Sequence, residues 1–303
     1  MILPYLSRLL CLALGSFFLI HTAASFGVWL VSNGALRRST SLEPALGARF
    51  LFCLRLFPLF FSGLLVLALL GPSYLMFEPQ APTETMGVIC LLTATLGAVL
   101  FASGILRGIR AVIRSARYLK RQEESGAPMI LVAGFFRPRI IVSPAVRNSL
   151  TDEELAAALR HEEAHARARD NLKRLLVVLC PSTFPFLRRF GALEAGWRRS
   201  AEWAADDAAI QNSTRHAVAL ASALIRVGRM NAGFAPVPLA TSLFDGPADL
   251  RARVERLIEG PRTYGQLRSG SILYLLALIF LTLMSLSPEL LPASHRFLEV
   301  LAH

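Results

Sequence analysis

His161-Glu162-Glu163-Ala164-His165 sets two imidazoles and a carboxylate within five consecutive residues. On a helix, side chains four apart stand one above the other on one face, so both rings can reach a single metal ion. Glu162 is rotated aside and can address a water instead of the metal. This is the two-histidine spacing of zinc-dependent hydrolytic sites. The flanking sequence places the motif in mid-helix. Thr151-Asp152-Glu153-Glu154 reads as a capping box, with Thr151 at the N-cap and Glu154 at N3. Leu155, Ala156, Ala158 and Leu159 then continue an apolar helical face toward the histidines.

Two imidazoles do not close a site, so a third donor is required. Glu202-Trp203-Ala204-Ala205-Asp206 lies on a second helical stretch, with Glu202 37 residues after His165. Glu202 would complete a two-histidine, one-glutamate set and leave the fourth position for water. Asp206, one turn later, is placed to accept the free ring N–H of a liganding histidine and fix its tautomer. Asp170 competes for that role, and Asp207 is a weaker candidate. The plain alternative is a solvated helix, since Glu163, Arg167 and Arg169 share it with the histidines. The downstream Glu202/Asp206 pair weighs against that. His21, His216, His295 and His303 have no partner at ligand spacing; His216 is a distant candidate for stabilising an oxyanion.

These helices must be held at a membrane. The chain is 54% hydrophobic with a mean hydropathy of +0.49, above that of an ordinary soluble domain. Four stretches lack charge over roughly a bilayer thickness: about 9–32, 56–77, 85–106 and 269–288. The first also resembles a signal peptide, with Arg8 before it and Thr22-Ala23-Ala24-Ser25 near a cleavage site. Its apolar run continues to Val31, which favours an uncleaved span. Arg37, Arg38, Arg49 and Arg55 follow or flank the first loop, whereas Glu78 and Glu84 occupy the second. Arg107 to Arg121 follow the third span, and Arg251 to Arg268 precede the fourth. The positive-inside rule therefore puts the N-terminus outside and residues 107–268 in the cytoplasm. A formal charge of +11 is accounted for by headgroup-facing arginines, and direct nucleic-acid binding is not expected. Cys11, Cys53, Cys90 and Cys180 show no disulfide or metal spacing and read as small core residues.

Three regions follow: a membrane bundle (1–106), a cytoplasmic domain (107–268), and a fourth span with a short outer tail (269–303). A basic helix from Arg107 to about Glu124 is broken by Ser125-Gly126-Ala127-Pro128. Met129–Ala133 and Arg139–Ser143 then look like a β-hairpin, whose edge could hold an extended peptide or be purely structural. Leu172–Leu187, interrupted by Pro181 and Pro185, is too short for a span and reads as a segment touching the membrane or packing under the site.

Gly134–Ser143, Leu155–Asp170 with its two histidines, and Glu202 with Asp206 resemble the membrane-embedded zinc metallopeptidases of the β-lactam sensor-transducer (antirepressor) family. More distantly they resemble the heat-shock and CAAX prenyl membrane proteases. Leu250–Leu257 looks like the arginine-bearing helix that closes the family's catalytic domain. The resemblance covers about residues 129–260. It implies a mainly α membrane protein of four transmembrane helices carrying a zincin-like (gluzincin) α+β metallopeptidase domain, in a bacterial cell membrane. Sensor-transducers carry a penicillin-binding domain after the last span, whereas this sequence ends at His303, so β-lactam sensing is not expected. Ser242-Leu243-Phe244-Asp245-Gly246-Pro247 stands where the heat-shock type has Thr-His-Pro, which favours the sensor-transducer branch.

The implied chemistry is regulatory peptide hydrolysis with Zn2+ on His161, His165 and Glu202, Glu162 as general base, and Asp206 and Asp170 behind the histidines. The expected partners are the bilayer and a protein or peptide substrate, for which the resemblance points to a transcriptional repressor; a homodimer is compatible. The rival readings are a non-catalytic membrane receptor or scaffold that keeps the zinc fold, and a quality-control protease with many substrates.

Overall fold

The computed structural model describes residues 4–78, 86–183, 188–230, 241–242, 247–260 and 287–302. Three helical stretches are long and apolar enough to cross a membrane: α1 (Tyr5–Thr40), the run Pro44–Phe77, and α4 (Val88–Ser125). At about 1.5 Å per residue, a helix of 36 residues spans roughly 54 Å, well beyond a ~30 Å hydrocarbon core. Each is therefore longer than a crossing needs, and α4 carries the third expected span and the basic helix as one continuous element. It stops where the sequence indicates, at Gly126, whose φ of 62° is the left-handed conformation of a helix C-cap. The fourth expected span, 269–288, lies outside the described residues except for its last two positions.

The second run is not one regular helix. It consists of α2 (Pro44–Leu65), a π-helical segment (Val66–Leu70) and α3 (Gly71–Phe77). Small residues let the long helices approach closely. A Cβ on Gly97 would run into the Leu14 carbonyl oxygen where α4 crosses α1, and one on Gly104 would run into that of Leu179. The final described helix, α11 (Ser287–Ala302), packs against α3 and the π-helical segment.

Ile130–Ala133 (β1) and Arg139–Val142 (β2) form the expected antiparallel hairpin, with Ile130 opposite Val142. The other edge of β1 is taken at Leu131 and Val132 by β3 (Thr241–Ser242). Helix α5 (Pro144–Ser149) begins at Ser143, whose hydroxyl accepts from the amides of Met129 and Val146. Helices α6 (Asp152–Ala168), α7 (Asp170–Leu179), α8 (Arg188–Ile210), α9 (Thr214–Met230) and α10 (Pro247–Glu259) complete the domain. Its core forms where Leu220, Ala223, Leu224 and Val227 of α9 meet Ala157 and Ala158 of α6 and Leu257 of α10. The alanines of α6 allow that close approach and bring the motif helix under the sheet.

Helix α7 joins the membrane bundle to this domain. Arg169, with φ of 54°, links it to α6. At its far end, Arg55 of α2 donates to the Cys180 sulfur (3.0 Å) and Arg107 of α4 to the Cys180 carbonyl (3.1 Å). Of the stretch Leu172–Leu187, the part up to Leu179 is in this helix and packs against α4 and α2, while 184–187 lie outside the described residues. Cys90 and Cys180 are buried, but Cys53 is exposed on the apolar helix α2 and is not a core residue.

Candidate metal centre

Helix α6 starts with the expected capping box. The Thr151 amide donates to the Glu154 carboxylate (2.9 Å), and the Glu154 amide to the Thr151 hydroxyl (3.3 Å). Three turns on, His161, Glu162 and His165 are all buried, as are Glu202 and Asp206 on α8, which packs across α6. The two imidazole Nε2 atoms are 3.1 Å apart, and the Glu202 Oε2 is 3.5 Å from each. These three ligand atoms lie within 4.8 Å of one another. Tetrahedral donors about 2.0–2.1 Å from an ion stand roughly 3.3 Å apart, so the set fits zinc without rearrangement.

The surrounding groups orient the rings. His165 Nδ1 lies 2.7 Å from Asp170 Oδ2, a hydrogen bond that would aim Nε2 at the centre of the cluster. Lys173 holds the other Asp170 oxygen at 2.8 Å. His161 Nδ1 is 3.0 Å from Asp206 Oδ1, close but without the alignment of a hydrogen bond. Both second-layer candidates thus stand behind a histidine, one each. Asp207 is turned away and pairs with Arg256 at 2.6 Å. His216 is not at the cluster either; its ring nitrogen meets the Ile210 carbonyl at 3.2 Å. That bond holds the ring against the C-terminal residue of α8.

Glu162 is fully buried, and neither of its carboxylate oxygens has a hydrogen-bond partner. Burial is the main reason its carboxyl is pushed up to about 7, with the nearby imidazoles opposing. For His165, burial works in the other direction, yet the Glu202 and Asp170 carboxylates raise the ring to about 10. Burial also opposes ionisation of Asp206, but the Arg253 guanidinium holds it down at about 2. Glu202 lies well below the usual carboxylate range: burial opposes this, and His165 and Arg253 overcome it.

Two cations at the centre were not assigned from sequence. Arg253 of α10 donates to both Asp206 oxygens (2.9 and 2.7 Å) and lies 3.2 Å from Glu202 Oε2. Its Nη2 is 3.3 Å from His161 Nε2. Arg174 of α7 lies 3.6 Å from Glu202 Oε1. A signal for Arg253 did exist: it falls between Leu250 and Leu257 on the apolar stripe of α10, where an arginine must be paired to be buried.

The arrangement can hold a divalent ion on two nitrogens and an oxygen, with a desolvated carboxyl beside it able to exchange a proton near neutrality. No curated protein and no solved structure matches the chain. The family model described as BlaR1 peptidase M56 matches residues 86–257, more than half of the sequence, and that match takes in α4, the hairpin and every residue of the cluster. A membrane-associated chain with this site and this match belongs to the BlaR1 peptidase family M56, a family of metallopeptidases.

Proposed function

We propose that this protein is a membrane-embedded zinc endopeptidase that hydrolyses peptide bonds of a cytoplasmic regulatory or membrane-associated protein. The observation that carries the reading is the meeting of His161, His165 and Glu202 beside the unpartnered carboxylate of Glu162. A binding scaffold would gain nothing from a buried carboxylate with no partner, since burying such a group is costly. His161, His165 and Glu202 would hold the zinc, which when bound polarises the scissile carbonyl and makes a water more acidic. Glu162 takes the proton of the attacking water and delivers it to the departing amine. Asp170 keeps the His165 ring in the tautomer that presents Nε2, and Asp206 stands behind the His161 ring. Arg253 fixes Glu202 and Asp206 relative to each other, so that both helices keep one geometry.

Basic flanks favour an orientation with the metal domain in the cytoplasm, and the length of the apolar runs favours an uncleaved first span and a fourth span near 269–288. The family supports regulatory cleavage, with a transcriptional repressor as the substrate class. Glu162→Gln should keep stoichiometric zinc and slow cleavage by roughly 10²–10⁴-fold. Trapping proteins on that variant and identifying them by mass spectrometry tests the substrate class: one captured regulator supports it, whereas many unrelated membrane proteins support quality control. A zinc-loaded parent that cleaves none of the trapped proteins would leave the scaffold reading.

A further inference from the structure

Helix α7 presents polar side chains to three parts of the metal domain. Its buried positions are Asp170, Asn171, Arg174 and Val177, so Arg174 lies three or four residues from each of the others, on one face. Asp170 meets His165 of α6 at 2.7 Å. Asn171 donates its side-chain amide to the Val132 and Gly134 carbonyls of the hairpin, at 2.8 and 3.2 Å. Arg174 reaches toward Glu202 of α8, with Nη2 3.6 Å from Oε1. A face turned to an ordinary core would be apolar, because burying such groups is costly unless each has a partner.

The two oxygens of Glu202 have different neighbours. Oε2 meets the imidazoles, 3.5 Å from the Nε2 of each. Arg253 approaches that same oxygen, at 3.2 Å. Oε1 is the oxygen toward Arg174, and no hydrogen bond fixes it. A carboxylate can bind an ion through one oxygen or through both. The choice matters here, because three protein donors leave the fourth corner of a tetrahedron open and a further donor would close it. A cation beside Oε1 favours the one-oxygen mode, since swinging Oε1 onto the ion would draw it away from the guanidinium. In a site closed to water that attraction is stronger than it would be in solvent.

We propose that Arg174 is a positioning residue of the metal centre: by holding Oε1 of Glu202 it keeps that side chain on the ion through Oε2 alone, and so leaves the fourth position open. It acts through Glu202 and touches no reacting atom. Together with Asp170, one turn earlier, it makes α7 a common backing for ligands carried by two other helices, His165 of α6 and Glu202 of α8. The inference rests on the proposed metal ion and is independent of which protein is cleaved.

The test is cobalt substitution of the full chain in detergent, read by visible absorption, with zinc affinity measured separately against a competing dye. Four-coordinate cobalt absorbs strongly because a tetrahedral centre lacks inversion symmetry, and an added donor weakens the band. Arg174→Met should weaken the band and lower zinc affinity by about 10–100-fold. Arg174→Gln, also neutral but polar, should do the same and carries the test if the methionine variant does not fold. Arg174→Lys, which keeps the charge, should retain the parental band. A parental band in the neutral variants, whatever their melting temperatures, would overturn the proposal, because Arg174 would then serve stability only. A band equally weak in the lysine variant would overturn it too, since a cation beside Oε1 would not be what sets the geometry. A parent that takes up neither cobalt nor zinc would end the peptidase reading and this inference together, whereas a cobalt-loaded parent with unresponsive variants ends this inference alone.

Discussion

Arg253 spans one turn of α8: its guanidinium donates to Asp206 at 2.7 and 2.9 Å and lies 3.2 Å from the Glu202 carboxylate. Two buried carboxylates that stand behind and beside the same histidine thus share a counter-charge from another helix, and Glu202 has a second one in Arg174 at 3.6 Å.

Removing that charge takes the two-pronged partner from Asp206 and leaves Glu202 facing Arg174. Arg253→Met should destabilise the protein by about 3–5 kcal/mol, the usual result of breaking a buried pair from one side. Arg253→Lys should recover only part of this, because an ammonium cannot make the two-pronged contact with Asp206. Thermal unfolding of the parent and both variants checks it; equal melting temperatures for all three would show that the arginine is not needed to balance the site.

Asp170 and Asp207 were both candidates for bracing a histidine, and only Asp170 reaches one. Asp170→Asn should weaken zinc binding by about 10–100-fold. Asp207→Asn should leave it unchanged, since its partner is Arg256. Competition with a chelating dye measures both. A matching loss in the two variants would mean that the aspartates act through general stability and not through the ring.

Zinc uptake should be coupled to proton release. His165 is raised to about 10 by its carboxylate neighbours, so the protein groups alone keep it protonated across the neutral range. A metal can bind only the deprotonated nitrogen. Affinity should therefore rise as pH increases from 6 to 8, by about tenfold per unit for each proton displaced. Calorimetry in buffers of different ionisation enthalpy counts those protons, and a pH-independent affinity with no released proton would contradict this.

Gly97→Leu should disrupt the α1–α4 crossing, because any side chain there meets the Leu14 carbonyl. Overpacking of this sort costs about 1–3 kcal/mol or more. Gly27, whose Cβ would meet nothing within 4 Å, is the matched control: Gly27→Leu should unfold like the parent in detergent.

Much of the site could be read in sequence because its signals are local. The capping box, the i, i+4 histidines, the glycine that ends α4 and the hairpin each depend on residues a few positions apart. Glu202 was found by chemistry, as the carboxylate that the histidines still required. Arg253 and Arg174 were missed for the opposite reason. They come from other helices, and no spacing rule ties them to the histidines; Arg253 reads in sequence as one of the basic residues that precede the fourth span. The direction of α9 past Ile210, and with it the position of His216 against the Ile210 carbonyl, depends on packing that no spacing rule supplies. The π-helical segment in the second long run left no mark in a uniformly apolar sequence.

Helix α7 has its two ends in different surroundings. Asp170 at its start grips a metal-side ring, while the Cys180 that follows it is pinned by arginines of two membrane helices. Ten residues make a rod only about 15 Å long, too short and too stiff to absorb much movement between those anchor points. A tilt of the lipid-embedded helices would thus be felt at the imidazole, which makes the lever arm between bilayer and metal part of the site's own architecture.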